Sequence, residues 1–342
     1  MRCIIVALPI IVPVGVTLLT GGYGVKKLFE TKKIKGKVNN VNEFTKLKVN
    51  NAKQKLNKRR KHTKKTIESL GKLKIKILST TINKFVEDFS EIKEIELKRT
   101  VGIKEVQHLY ELKTNLKHLK NDSYKAVELT KYGLSSLGAG AVMAYGTYGI
   151  AGIVGTASTG TAISSLYGVA STNATLAWLG GGTLAGGGMG IVGGMSILGG
   201  IVVGPALAVG GSLLSSKARI ALNEAYINEN KADNFCHQVD TICTVLEGIN
   251  KRAEQFIIIL NKLNRYLQKY ISDMCIIISK RGKNWNEYTI EEKKKIAKCL
   301  LTAQTIKKII DTKLLTDEGK LEQKTAYVLK RINKEVSIIQ KM

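Results

Sequence analysis

The longest regular hydrophobic pattern in the chain runs from Val239 to Ile277. Apolar residues recur there at spacings of three and four over more than five heptads, which is the a and d pattern of a coiled coil. A helix of this length, on the order of 60 Å, must pack its apolar stripe against another long helix. The stripe consists of Val239, Ile242, Leu246, Ile249, Ala253, Phe256, Leu260, Leu263, Leu267, Tyr270, Met274 and Ile277.

A second stretch at helical spacing lies between Ile67 and Leu119 and resumes after Gly102. It predicts long amphipathic helices, each with an apolar stripe, and it is the obvious partner for the long helix. Because the residues between the two stretches are expected to fold back as a hairpin, we expect the pair to be antiparallel. The sequence therefore predicts an all-α fold, with an antiparallel coiled-coil stalk around a central hairpin.

Local signals predict where the later helices begin and end. Gly282 is expected to end the long helix, because glycine is favoured just after the last helical residue. Thr289 and Glu292 have the spacing of a capping box, which predicts the start of a further helix. Thr316 is predicted to cap the last helix of the chain.

The region from Tyr132 to Ser216, called here the uncharged centre, has no Asp, Glu, Lys, Arg or His in 85 residues and holds 23 of the 33 glycines. A bilayer core is about 30 Å thick and a spanning helix needs about 20 apolar residues. Lys131 and Lys217 flank the region, and basic flanks stay on the cytoplasmic side. We expect a membrane hairpin with both ends on one face. The alternative is a glycine-rich hairpin buried inside a soluble bundle.

Six glycines of the uncharged centre are spaced four apart in two groups. Glycines at this spacing share one helix face and allow another backbone to approach closely, as in the small-xxx-small packing of membrane helices. We expect them to form a glycine zipper that joins copies of the chain into a homo-oligomer. A G-x-G-x-x-G match at Gly188–Gly193 lacks the following acidic residue that a dinucleotide site needs. The zipper residues are Gly182, Gly186, Gly190, Gly194, Gly200 and Gly204.

An apolar segment without charge extends from Cys3 to Val25 and is long enough to span a bilayer. Its two prolines, Pro9 and Pro13, are tolerated in membrane helices. Lysines follow from Lys26 onward, and basic residues beside a span remain in the cytoplasm. We therefore expect an uncleaved membrane anchor. A cleaved signal peptide with secretion, or a buried soluble segment, are the alternatives.

The formal net charge of +27 calls for an anionic partner, and the charge is concentrated between Lys26 and Lys76, where 19 Lys and Arg face three acids. Anionic lipid headgroups attract such juxtamembrane clusters, whereas single-strand nucleic-acid binding would need interleaved aromatic residues. We expect headgroup contact at the peak of the cluster, with a solvated helix face as the alternative. The peak consists of Lys58, Arg59, Arg60, Lys61, Lys64 and Lys65.

Residues that carry chemistry are sparse. The five cysteines include no C-x-x-C pair, and no second histidine lies within zinc-ligand spacing of His237. The chain shows no nucleophile elbow, no Ser-His-Asp order and no P-loop. We expect no cofactor, no metal site and no enzymatic activity.

The layout resembles that of helical pore-forming proteins. Colicin-type domains and the apolipoprotein L family place an uncharged glycine-rich hairpin between amphipathic helices, and toxins similar to cytolysin A and haemolysin BL place a hydrophobic tongue between long helices. The strings Ala162–Ser165, Ala174–Gly188 and Leu314–Leu321 also look like those of uncharacterised bacterial glycine-rich membrane proteins. The resemblance implies membrane insertion and carries over no catalytic residue.

These observations predict a protein that inserts into a lipid bilayer, oligomerises through its hairpin, and permeabilises or remodels the membrane. A membrane-anchored coiled-coil scaffold that recruits a protein partner is one alternative, and a basic nucleic-acid-binding protein is another that the uncharged centre disfavours. The predicted regions are an anchor (1–25), a basic segment with amphipathic helices (26–131), the hairpin (132–216), the coiled-coil helix (217–282) and a carboxyl-terminal helical segment (283–342).

Overall fold

The structure is a computed structural model that describes residues 23–95, 112–131, 142, 145–147, 214–316 and 321–341. These residues are helical apart from short connections and contain no strand, so the predicted all-α class is confirmed. The helices are α1 (Tyr23–Ile77), α2 (Asn83–Ser90), α3 (Leu112–Thr130), α4 (Leu214–Arg281), α5 (Ile290–Asp311) and α6 (Lys324–Lys341), with a π-helical turn at Leu78–Ile82 and a 3-10 turn at Trp285–Glu287.

The chain divides into two compact units. The first comprises Met1–Asn50 and Ile201–Phe235, and its described part is called here the paired segment; the second comprises Asn51–Gly200 and Cys236–Met342, and its described part is called the helical body. Helices α1 and α4 begin in the first unit and end in the second. Both helices begin within the last residues of the apolar regions predicted at 1–25 and 132–216.

The buried residues of α4 in the paired segment are mainly alanines, with Phe235 as the large exception. Val38 of α1 forms a buried cluster with Ala221 and Ala225 of α4. An ion pair joins Lys48 to Asp233. Because alanine has only a methyl group, this contact buries little apolar surface per residue.

Large residues form the core of the helical body. Ten of the twelve residues of the predicted α4 stripe are buried, and Ile242 and Tyr270 are half-buried. Helices α5 and α6 pack against one another, and their buried residues include Ile306 and Ile332. The predicted stripe is therefore a packed face.

The antiparallel arrangement expected for the long helices was wrong, because α1 and α4 are parallel. In the helical body, Lys55 donates to Asp240 at 2.8 Å, and further along the chain the Sγ of Cys275 donates to Asp88 of α2 at 3.2 Å. The partners in the two pairs are 185 and 187 residues apart in sequence. Residues later in α1 and α2 therefore contact residues later in α4, which means that the helices run in the same direction. In the paired segment, Lys48 and Asp233 have the same separation of 185.

The error has a physical reason. Apolar residues spaced three and four apart define a face of a helix but carry no information on direction. The direction becomes visible only in which residues meet, such as Lys55 with Asp240. Helix α3 also lies in the chain between α2 and the uncharged centre, and it packs against α2 and the π-helical turn.

The predicted ends of the later helices are confirmed in two cases and wrong in one. Helix α4 ends at Arg281, and Gly282 follows with φ +84°, a conformation that glycine adopts without strain. Thr289 caps α5: its hydroxyl oxygen accepts a 3.2 Å hydrogen bond from the Glu292 amide, and its own amide donates a 2.8 Å hydrogen bond to the Glu292 carboxylate. Thr316 does not cap α6, the last described helix, because that helix begins eight residues later at Lys324.

Candidate functional site

Two short stretches of the uncharged centre are described: residues 214–216, which begin α4, and Val142 with residues 145–147. Val142 and Tyr145–Thr147 together are called here the docking turn; they have helical backbone and are buried. They belong to the apolar stretch that the sequence predicts to enter a membrane. The docking turn is therefore the described part of the uncharged centre that packs against α1.

Two glycines allow the backbones of α1 and the docking turn to touch. A Cβ atom added to Gly71 would overlap the carbonyl oxygen of Val142, and one added to Gly146 would overlap that of Ile67. Gly36, also in α1, has no atom within 4 Å of such a Cβ. A helical glycine costs about 1 kcal/mol relative to alanine, and at Gly71 only glycine leaves room for this close approach.

Lys74 lies one turn after Gly71 and is fully buried. Its Nζ donates to the carbonyl oxygens of Gly146, at 3.3 Å, and Ile310, at 3.1 Å. Burial lowers the pKa of Lys74 to about 7, and the nearby carboxylate of Asp311 partly opposes that shift. A neutral amine has two N–H bonds, which is the number of carbonyl oxygens it faces.

A backbone hydrogen bond and an ion pair lie beside the docking turn. The amide of Leu314 donates to the carbonyl oxygen of Thr147 at 2.6 Å, so two successive carbonyls of the docking turn are bound by groups outside it. Lys307 of α5 forms a 2.8 Å ion pair with Asp122 of α3, and their side chains are only 16% and 14% exposed. Three helices and the docking turn therefore meet at the Lys74 site, which we define as Gly71, Lys74, the docking turn, Lys307 and Asp122.

The six basic residues predicted to contact anionic lipid do not share one face. Lys58, Lys61 and Lys65 are exposed. Arg59 lies 3.8 Å from Glu247, and Lys64 lies 3.8 Å from Glu68. Arg60 is half-buried, its Nε has no hydrogen-bond partner, and burial lowers its pKa. The cluster is continuous in sequence, but its members point in several directions around α1.

The zipper glycines Gly182, Gly186, Gly190, Gly194, Gly200 and Gly204 lie outside the described residues, as does the anchor up to residue 22. Among the helices that the structure describes, none is both long enough and apolar enough to cross a bilayer. The membrane hairpin and the anchor therefore remain predictions.

The sequence analysis missed Lys74 and Gly71, although one signal was available. Lys74 follows Ile67 by seven residues and Leu70 by four, so it occupies a position in the apolar stripe of α1. The sequence analysis included it among the 19 basic residues between Lys26 and Lys76 instead. A lysine at an apolar position one turn from a helical glycine indicates a close contact with another segment.

Among the described residues, Cys243, Cys275 and Cys299 form no disulfide. Within the described ranges, no group of three or more His, Cys, Asp or Glu side chains is placed to hold a metal ion. Comparison of the chain with protein-family models, with curated proteins and with solved structures finds no match.

Proposed function

We propose that the protein is a membrane-inserting protein without catalytic activity, whose uncharged centre leaves the helical body, enters an anionic bilayer and oligomerises through its glycine zipper. The insertion permeabilises or remodels the membrane. The observation that supports the proposal is the docking turn, because four residues of an uncharged region of 85 residues are buried there and Lys74 and Leu314 bind its carbonyl oxygens. The basic flanks stay on the cytoplasmic side in this proposal.

The helical body has a core that does not depend on the docking turn. Helix α4 buries Leu260, Leu263 and Leu267, and α5 buries Ile306 and Ile310. Each buried large apolar side chain contributes about 1.5–3 kcal/mol. The body can therefore stay folded while the docking turn moves, which a membrane-inserting protein requires.

The Lys74 site lowers the free-energy cost of releasing the docking turn. Undocking would expose apolar side chains such as Tyr145, which opposes release. It would also return the buried Lys74 amine to water, where the pKa of a lysine is 10.5. Because burying an amine is unfavourable, its rehydration offsets part of the cost.

Dye leakage from vesicles of equal parts phosphatidylcholine and phosphatidylserine tests the proposal. The wild-type chain is expected to release dye, and the double variant Gly186→Leu/Gly190→Leu is expected to bind the vesicles without release, because leucine blocks close helix contact. Gly188→Leu is the matched control, since at helical spacing residue 188 lies opposite the zipper face. That variant should release dye like wild type.

The other outcomes separate the alternatives. Equal leakage by all three chains would remove the zipper from the proposal. Vesicle binding without leakage by the wild type would favour a membrane-anchored scaffold that recruits a partner. If the wild type does not bind vesicles and instead shifts DNA at low salt, the nucleic-acid alternative replaces the proposal.

A further inference from the structure

Helix α1 has two different faces in the paired segment. One face contacts α4 and buries Val38 and Val49. Three large apolar side chains are exposed instead: Phe29 is 70% exposed, Phe44 57% and Leu47 61%. At about 100° per residue, these three residues fall on the side of α1 opposite Val38. They form a line about 27 Å long at 1.5 Å per residue, called here the outer stripe.

Four exposed lysines, called here the bordering lysines, accompany the outer stripe. At helical spacing, Lys33 falls between Phe29 and Phe44 around the helix, Lys37 falls just beyond Phe44, and Lys32 and Lys46 lie on the other side. The exposed acids of this part of α1 are Glu30 and Glu43, so the lysines outnumber them. Gly36 lies beside the stripe, and a Cβ atom added there would have no atom within 4 Å.

We propose that the outer stripe rests on the surface of an anionic membrane, with Phe29, Phe44 and Leu47 in the interfacial layer and the bordering lysines on the headgroups. The inference rests on the proposed function and names the surface by which the folded protein first binds its membrane. An apolar stripe of Phe and Leu beside a lysine-rich polar face is the pattern of helices that lie in the plane of a bilayer interface.

Charge complementarity favours a membrane over a second copy of the chain as the partner of the outer stripe. Two copies that met through their outer stripes would bring two sets of bordering lysines together, and like charges repel. Anionic headgroups complement the same lysines, and the chain as a whole has a net charge of +27.

The outer stripe replaces the cluster of residues 58–65 as the first membrane contact. In α1 and α2, from residue 48 to residue 90, no large apolar side chain is exposed. The cluster also lies beside the carboxylates of Glu68 and Glu247. A membrane-binding surface needs both apolar contact and positive charge, and in α1 the outer stripe supplies both.

Flotation with vesicles of equal parts phosphatidylcholine and phosphatidylserine tests the inference on the full chain. Phe29→Ser/Phe44→Ser is expected to lower the vesicle partition coefficient by roughly tenfold or more, because the apolar side chains no longer enter the interface. Ile258→Ser is the matched control, since Ile258 is 68% exposed and lies in α4 of the helical body. That control should bind like wild type.

A charge variant provides a second test that does not alter the apolar residues. Lys32→Gln/Lys33→Gln/Lys37→Gln is expected to weaken binding at low salt and to reduce the dependence of binding on salt. All the altered side chains are exposed, so circular-dichroism melts should match wild type. If the Phe29→Ser/Phe44→Ser variant melts at a lower temperature than wild type, the vesicle binding of the charge variant alone tests the inference.

The results distinguish this inference from the proposed function. If the wild type binds and releases dye, and the serine and charge variants bind equally well, the outer stripe is not the membrane surface although the proposed function stands. A wild type that binds no vesicles overturns both. If the serine variant changes the sedimentation of the free protein but not its vesicle binding, the occupant is a second copy and the inference is wrong.

Discussion

The paired segment and the helical body both contain parts of α1 and α4, but α4 buries mainly alanines in the paired segment and mainly large apolar side chains in the body. In the body, α4 turns Phe256 and Leu260 inward. In the paired segment, α4 turns Ala221 and Ala225 inward, while the large side chain of Ile220 is exposed. A long helix can therefore be a core element along one part of its length and a surface element along another.

The difference has an energetic consequence. Full burial of a large apolar side chain contributes about 1.5–3 kcal/mol, whereas a single methyl group contributes on the order of 0.8 kcal/mol. The paired segment therefore gains less stability per residue than the body does. We expect it to open locally at a lower free energy, because local stability follows the density of buried apolar contacts.

The largest expected effect comes from placing the same charge in each region. Leu260→Asp should reduce the free energy of unfolding by more than about 4 kcal/mol, since it buries an unpaired carboxylate in the core. Leu47→Asp changes an exposed leucine of the paired segment and should change stability by less than about 0.5 kcal/mol. Urea denaturation followed by circular dichroism measures both, and equal effects would break the comparison.

The second effect is a pH dependence of the free energy of unfolding that arises from Lys74 in the helical body. The folded amine loses its proton near pH 7, while the unfolded amine keeps it up to about 10.5. The unfolded chain therefore binds more protons in this window, so this group makes stability rise with pH above 7, on the order of 1 kcal/mol per pH unit. Below pH 7 both states are protonated and the contribution is constant.

Urea denaturation at pH 7 to 9 should show this rise in wild type, and the rise should be absent from Lys74→Met. Above pH 9, buried thiols oppose it, because burial raises the pKa of Cys243, Cys275 and Cys299 above their ordinary value of 9.0. The difference between the two proteins isolates Lys74. If both show the same pH profile, Lys74 is not buried as a neutral amine.

A third effect compares two glycines of α1. Gly71→Ala should reduce the stability of the body by about 1–3 kcal/mol, because the new methyl group meets backbone that cannot rotate away. Gly36→Ala in the paired segment should raise stability by up to about 1 kcal/mol, since the site has open space and alanine favours a helix. Thermal melts of the two single variants check the signs, and a stabilising Gly71→Ala would contradict the close contact at the docking turn.

The smallest effect concerns one ion pair in each region. The side chains of Lys48 and Asp233 in the paired segment are 34% and 38% exposed, and such pairs contribute about 0–1 kcal/mol. Asp233→Asn should therefore cost less than about 1 kcal/mol. Asp122→Asn in the body should cost more, because Lys307 is less exposed there. A double-mutant cycle for each pair measures the coupling, and the reverse order would contradict the comparison.

Local patterns predicted local structure well. The stripe from Val239 to Ile277 became the buried face of α4, Gly282 ended that helix, and Thr289 with Glu292 began α5. Each of these features depends on residues within about two turns of one another. Sequence spacing contains that information directly.

Features that depend on distant segments were not predicted. The parallel direction of α1 and α4 requires knowing which charges meet across about 185 residues of chain. Lys74 looks like one more member of a basic cluster until Gly146 and Ile310 surround it. The outer stripe was hidden for the opposite reason, because Phe29, Phe44 and Leu47 are too widely spaced to stand out among lysines.

The parallel pairing of α1 and α4 also aligns the dipoles of the two helices. Each helix has a macrodipole with partial positive charge at its amino terminus, and the dipoles of a parallel pair add where those of an antiparallel pair would cancel. No acidic residue lies in the first turn of either helix, so their positive ends are not neutralised from within. Both helices begin in the paired segment, at Tyr23 and Leu214, within the last residues of the apolar regions of the sequence. In the paired segment, the aligned dipoles thus add to the positive charge of the lysines that follow Tyr23.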